Sequence, residues 1–97
     1  MAKFKLTNKA VEDLAAIWEY TFDTWSERQA DKYYQLLIAS CEELAAFPKQ
    51  GKQYDEIAQG ILGFLAYRHI IFYRKINDKE IEVIRILYSR MDLKNKV

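Results

Sequence analysis

Residues 61–88 read ILGFLAYRHIIFYRKINDKEIEVIRILY, and this stretch decides the fold. It is dense in β-branched and aromatic residues, the types that fit a pleated, half-buried surface. It divides into three runs, Ile61–Ala66, Arg68–Lys75 and Glu80–Tyr88, and Asn77-Asp78 fits the turn between the last two. The final run, EIEVIRILY, is apolar on both faces at its centre, which suits a middle strand. Three such runs joined by short turns predict three antiparallel strands.

Upstream, the period changes. Pro48–Gly60 (PKQGKQYDEIAQG) reads as the one real loop, with Lys49 and Lys52 at its start. Before it, Ala30, Tyr33, Tyr34, Leu37, Ile38, Cys41, Leu44 and Ala45 recur at helical spacing. Ser26-Glu27-Arg28-Gln29 is a capping box that starts this helix, and Pro48 ends it. An earlier helix over about residues 9–24 carries Val11, Leu14, Ala15, Trp18, Phe22 and Trp25, with Thr7 and Asn8 offering its N-cap. Phe4-Lys5-Leu6 alternates as a short first strand. Two helices joined by so few residues fold back on each other. The expected architecture is a single α+β domain over residues 1–97: an N-terminal strand, a two-helix hairpin, and a three-stranded antiparallel β-sheet. The hairpin covers one sheet face, and the other, carrying Arg and Tyr residues, stays open for a partner.

Composition narrows the function. A chain of 97 residues that is 51% hydrophobic and 30% charged is an ordinary folded domain. One cysteine, Cys41, makes no internal disulfide and suits a reducing compartment, while a single histidine leaves little for zinc. The first residues are too short and charged for a signal peptide, and no apolar run approaches a membrane span, so the cytoplasm is the expected address. The charge is lopsided. Residues 1–48 hold five basic and eight acidic residues (5 − 8 = −3), and residues 49–97 hold ten and six (10 − 6 = +4). A basic layer is thus available to an anionic partner, although small domains are also lopsided by chance.

Few residues offer chemistry. His69 sits mid-run in YRHIIFY. As a general base it needs a substrate proton within reach, and its place among bulky neighbours favours a packed or partner-facing imidazole. Arg85 lies in the apolar IRIL, where a guanidinium must be paired. Binding a phosphate or carboxylate and forming a salt bridge with an acid of the helices are equally open readings. Arg68, Arg74 and Arg90, with Tyr67, Tyr73 and Tyr88, match both single-stranded nucleic-acid binding and protein hot spots. Trp18, Trp25, Tyr33 and Tyr34 lie on helical stripes and read as core. No Gly-rich phosphate loop, nucleophile elbow or carboxylate cluster is present, and no cofactor is implied.

With these residues in place, the chain resembles the ParE branch of the RelE/ParE toxin superfamily nearly end to end. The resemblance runs through LTNKAVEDLAAIWEY (Leu6–Tyr20), WSERQADKY (Trp25–Tyr33) and FPKQGK (Phe47–Lys52). Its strongest parts are RHIIFYR (Arg68–Arg74) and IRILYSRMD (Ile84–Asp92). Tyr88 departs from it, since relatives often carry His there. The resemblance implies the fold read above and a poison that traps DNA gyrase on cut DNA without covalent chemistry of its own. It also implies a ParD-like antitoxin, with DNA contacted only indirectly through the antitoxin or gyrase. On that footing Arg68, Arg74, Arg85, Tyr88, Arg90, Met91 and Asp92 form the candidate effector surface. Trp18, Phe22, Trp25, Tyr33 and Tyr73 are the candidate antitoxin contacts. The rival readings are a RelE-like ribosome-dependent mRNA endonuclease, disfavoured by the low net charge, and a non-toxic antitoxin-binding module.

Overall fold

In a computed structural model, residues 2–90 are described. The chain runs β1 (Lys3–Leu6), α1 (Asn8–Thr24), α2 (Glu27–Ala46), a 3₁₀ turn (Pro48–Gln50), β2 (Lys52–Gln53), β3 (Leu62–Ala66), β4 (His69–Asn77) and β5 (Glu80–Tyr88). Both helix starts follow their capping residues. Thr7 Oγ1 accepts from Ala10 N at 3.1 Å, and Ser26 Oγ accepts from Gln29 N at 3.1 Å.

The sheet has five strands rather than three, in the order β1-β5-β4-β3-β2. β3, β4 and β5 are antiparallel as expected. β1 is added beside β5 in parallel, pairing Phe4 with Ile81 and Leu6 with Val83. β2, two residues inside the expected loop, caps the far edge against Leu62 and Gly63. β1 finds a partner far along the chain, and β2 is only two residues long, and local periodicity encodes neither.

A bulge explains the doubly apolar β5. Phe72 pairs with Arg85 but Tyr73 pairs with Val83, so Ile84 is an extra residue. An extra residue shifts the alternation by one. Ile81 and Val83 point to the helices before the bulge, and Ile86 does so after it.

The main core lies between the helix hairpin and the sheet, where Ala10, Leu14, Leu37, Cys41 and Leu44 meet Ile71, Tyr73, Ile81, Val83 and Ile86. The opposite face is not left open as expected. Residues of the 54–61 segment fold over it, forming a second cluster of Ile61, Ile70, Phe72 and Leu87 flanked by Tyr54, Ile57 and Ile84. The Tyr54 ring meets Phe72 edge-to-face at 5.2 Å and lies where a side chain at Gly63 would stand.

Tyr73 is fully buried, which removes it from the candidate antitoxin contacts. Its hydroxyl donates to Pro48 O at 2.6 Å and accepts from Gly51 N at 2.9 Å. A buried phenol needs such partners, and they come from the turn that ends α2.

Candidate functional site

Where the ends of β4 and β5 meet α2, three rings gather. His69 opens β4 opposite Tyr88, the last residue of β5, and Tyr33 reaches them from α2. Tyr33 Oη lies 2.7 Å from His69 Nδ1 and accepts from Arg68 N at 3.2 Å. Tyr88 meets the imidazole edge-to-face at 5.8 Å, and Tyr67 meets Tyr33 likewise at 6.1 Å. Burial, then the Arg68 charge, lowers the His69 pKa, and burial raises that of Tyr33. A neutral imidazole beside a protonated phenol allows two arrangements: Tyr33 O–H donates to Nδ1 with the ring proton on Nε2, or Nδ1–H donates to Tyr33 Oη.

This yields a pH prediction. The folded state disfavours imidazolium, so the stabilising effect is full above the unfolded value of about 6.5 and is lost as pH falls through the lowered folded value. The thermal midpoint should therefore drop between about pH 7 and pH 5, and His69→Gln should flatten part of that drop. An unchanged pH profile in that variant would refute the assignment.

Arg85 forms the internal ion pair rather than standing open at the surface. Its Nε donates to Asp13 Oδ2 at 2.8 Å and its Nη2 donates to Asp13 Oδ1 at 3.0 Å. Asp13 Oδ2 also accepts from Ile86 N at 3.0 Å. Hydrogen bonding to Asp13 raises the guanidinium pKa above its ordinary value. The geometry follows from where β1 stops: beyond Leu6, the start of α1 takes over the edge of β5. Thr7 N donates to Val83 O at 3.0 Å and Thr7 Oγ1 to Ile84 O at 2.7 Å. Asp13 continues that edge further along α1.

The remaining candidates divide by location. Arg68, Tyr88 and Arg90 are exposed near the ring cluster, whereas Arg74 is exposed further along β4. Met91 and Asp92 lie outside the described residues. On α1, Ala10 and Leu14 are buried, while Val11, Phe22 and Trp25 are exposed, Trp25 to 66%. At about 100° per residue, Val11, Trp18, Phe22 and Trp25 line a stripe roughly a quarter-turn from the buried one. Trp25 is therefore not core, and Trp18, Tyr33 and Tyr34 are only part-buried. Trp18 stacks on Phe22 at 5.3 Å and donates its indole N–H to Asp31 Oδ1 at 2.9 Å. The stripe, legible as apolar in the sequence, is an exposed aromatic face.

Other reactive groups are quiet. Burial pushes the Cys41 thiol up to about 12. Among the described residues no His, Cys, Asp and Glu group is placed to hold a metal ion, and no helix is long and apolar enough to cross a membrane.

The family model described as the ParE toxin of the type II toxin–antitoxin system parDE matches residues 4–93. The chain belongs to the ParE toxin family. It is 35% identical to Toxin ParE1 of Mycobacterium tuberculosis over 92 residues, covering 95% of this chain and 94% of that one. Against Toxin ParE1 of Caulobacter vibrioides the identity is 30%, with the same coverage. Among solved structures, a chain of the chromosomal ParDE toxin–antitoxin system from P. aeruginosa superposes with a TM-score of 0.76 at 24% identity, covering 91% of this chain and 96% of that chain. That structure shares the fold. In this ParE toxin the arginine of IRIL is ion-paired to Asp13, and Val11, Phe22 and Trp25 expose a large apolar stripe on α1.

Proposed function

We propose that this ParE toxin inhibits DNA gyrase in the cytoplasm, stalling replication and arresting growth, and that a ParD-like antitoxin neutralises it. Gyrase is engaged by binding, with no bond made or broken by the toxin. The observation that carries the binder reading is the hydrogen bond between Tyr33 and His69. The sole histidine has Nδ1 engaged inside the fold, and Asp13 holds Arg85. His69 and Arg85 therefore each carry an intramolecular partner, which supports the binder reading over the ribonuclease one.

The exposed stripe of Val11, Phe22 and Trp25 supports the antitoxin reading. An amphipathic segment laid along it would bury large aromatic surface of the kind that anchors hot spots. The relation to a solved ParDE system points the same way.

The deciding experiment uses supercoiled plasmid, ATP, purified gyrase and the toxin free of antitoxin. Dose-dependent linear DNA after the enzyme is denatured, suppressed by added antitoxin, is the expected result. Folded toxin that yields no linear DNA, yet cleaves transcripts on translating ribosomes, would replace this reading with the ribonuclease one.

A further inference from the structure

The turn joining β3 to β4 holds an unusual residue. Ala66 pairs with His69, leaving Tyr67 and Arg68 as a two-residue hairpin turn. Tyr67 has φ +62°, the only non-glycine residue with positive φ among those described. That region favours glycine, and a bulky side chain there carries backbone strain. The residue stays largely in solvent, at 56% exposure, so burial offsets little of that cost. The ring's edge-to-face contact with Tyr33 occupies at most one of its faces. Strain kept at an exposed aromatic tip marks a position held for something other than stability.

Its neighbours set the chemistry. Ser89 N donates to Arg68 O at 3.0 Å, extending the ladder and bringing Arg90 alongside the turn. Arg68 and Arg90 are both exposed, and the segments 66–70 and 87–90 contain no acidic residue. The tip therefore pairs a stackable ring with two flanking cations. Bases stack on such rings whatever their identity, and guanidinium groups neutralise phosphates on either side. An acidic peptide would satisfy the charges but has no need of the free ring face.

We propose that this tip grips an unpaired DNA strand directly: Tyr67 stacks on a base while Arg68 and Arg90 neutralise neighbouring phosphates. The inference rests on the gyrase reading for its context, the strand being DNA held in the poisoned complex, and it adds a direct DNA contact to what was expected to be indirect.

The test is fluorescence-anisotropy titration of antitoxin-free toxin with a labelled oligo(dT), run beside the gyrase assay on the same variants. Tyr67→Phe should bind like wild type. Tyr67→Gly, which suits the turn and should fold at least as stably, should bind about ten-fold or more weakly. Arg68→Ala should reduce the slope of log affinity against log salt by about 0.7. Wild type that does not bind at low salt overturns the proposal, as does Tyr67→Gly with wild-type affinity. Binding of a poly-glutamate peptide but not oligo(dT) overturns it in favour of a protein occupant. Equal linear DNA from wild type and Tyr67→Gly overturns it while leaving the poisoning reading intact. Wild type that yields no linear DNA sinks the poisoning reading instead, and the titration then decides the strand contact alone.

Discussion

Gly51→Ala is expected to destabilise the toxin by about 2–3 kcal/mol, lowering the thermal midpoint by about 10–20 °C in a domain of this size. The cause is steric, not conformational. Gly51 has φ −75° and ψ 158°, which any residue adopts. A Cβ there would run into Tyr73 Oη and stand 2.8 Å from its Cε1. The ring is fully buried and its hydroxyl is bonded on both sides, to Pro48 O and Gly51 N, so it cannot swing away cheaply. Gly60 is the control. It has φ +82°, and a Cβ placed on it would meet nothing within 4 Å, so Gly60→Ala should cost only the backbone penalty of about 1 kcal/mol. Combining Gly51→Ala with Tyr73→Phe tests the contact itself. The hydroxyl that clashes is gone, so the double variant should lose less than the two single losses added together. A thermal midpoint for Gly51→Ala equal to wild type would mean that the 48–51 turn moves freely on Tyr73. The same contact explains why FPKQGK and the Tyr of IIFYR belong together, although 22 residues separate Gly51 from Tyr73.

That pair also marks the boundary of what the sequence discloses. Caps at Thr7 and Ser26 are local, since the side chain and the amide it bonds are three residues apart, and both were legible. So were the three long strands, whose composition differs sharply from the helices. The parallel placement of β1 was not, because its partner Ile81 lies far along the chain. Helical spacing identified the α1 aromatics as apolar but not as exposed. Two apolar stripes a quarter-turn apart blur into one broad face, and only the position of the sheet says which is covered. Arg85 stayed ambiguous for the same reason: its need for a partner was evident, but Asp13 is 72 residues away. The ring cluster was visible only as composition, since the Tyr33–His69 bond spans 36 residues. The strain at Tyr67 left no trace in the sequence beyond the absence of the glycine that such a turn favours.

Asp13→Ala is the second large effect, expected to destabilise by about 2–3 kcal/mol. The pair is largely shielded, with side-chain exposures of 20% for Arg85 and 14% for Asp13, so solvent only partly replaces the lost carboxylate. The change also strips Ile86 N of its acceptor at the edge of β5. Arg85→Ala should cost less, because Asp13 keeps its bond to that amide. Replacing both charges, as Asp13→Leu with Arg85→Met, should recover most of the loss and leave about 1 kcal/mol for the unpaired amide. That double variant separates fold from function. Arg85→Ala alone confounds them, since unfolding also removes any activity that the folded surface carries; circular dichroism on the double variant removes the ambiguity. If Arg85 acts by fastening α1 to β5, the folded double variant should match wild type in the gyrase assay, whatever wild type scores there. A folded double variant that scores below wild type would return Arg85 to the effector surface, with Asp13 as the group that aims it.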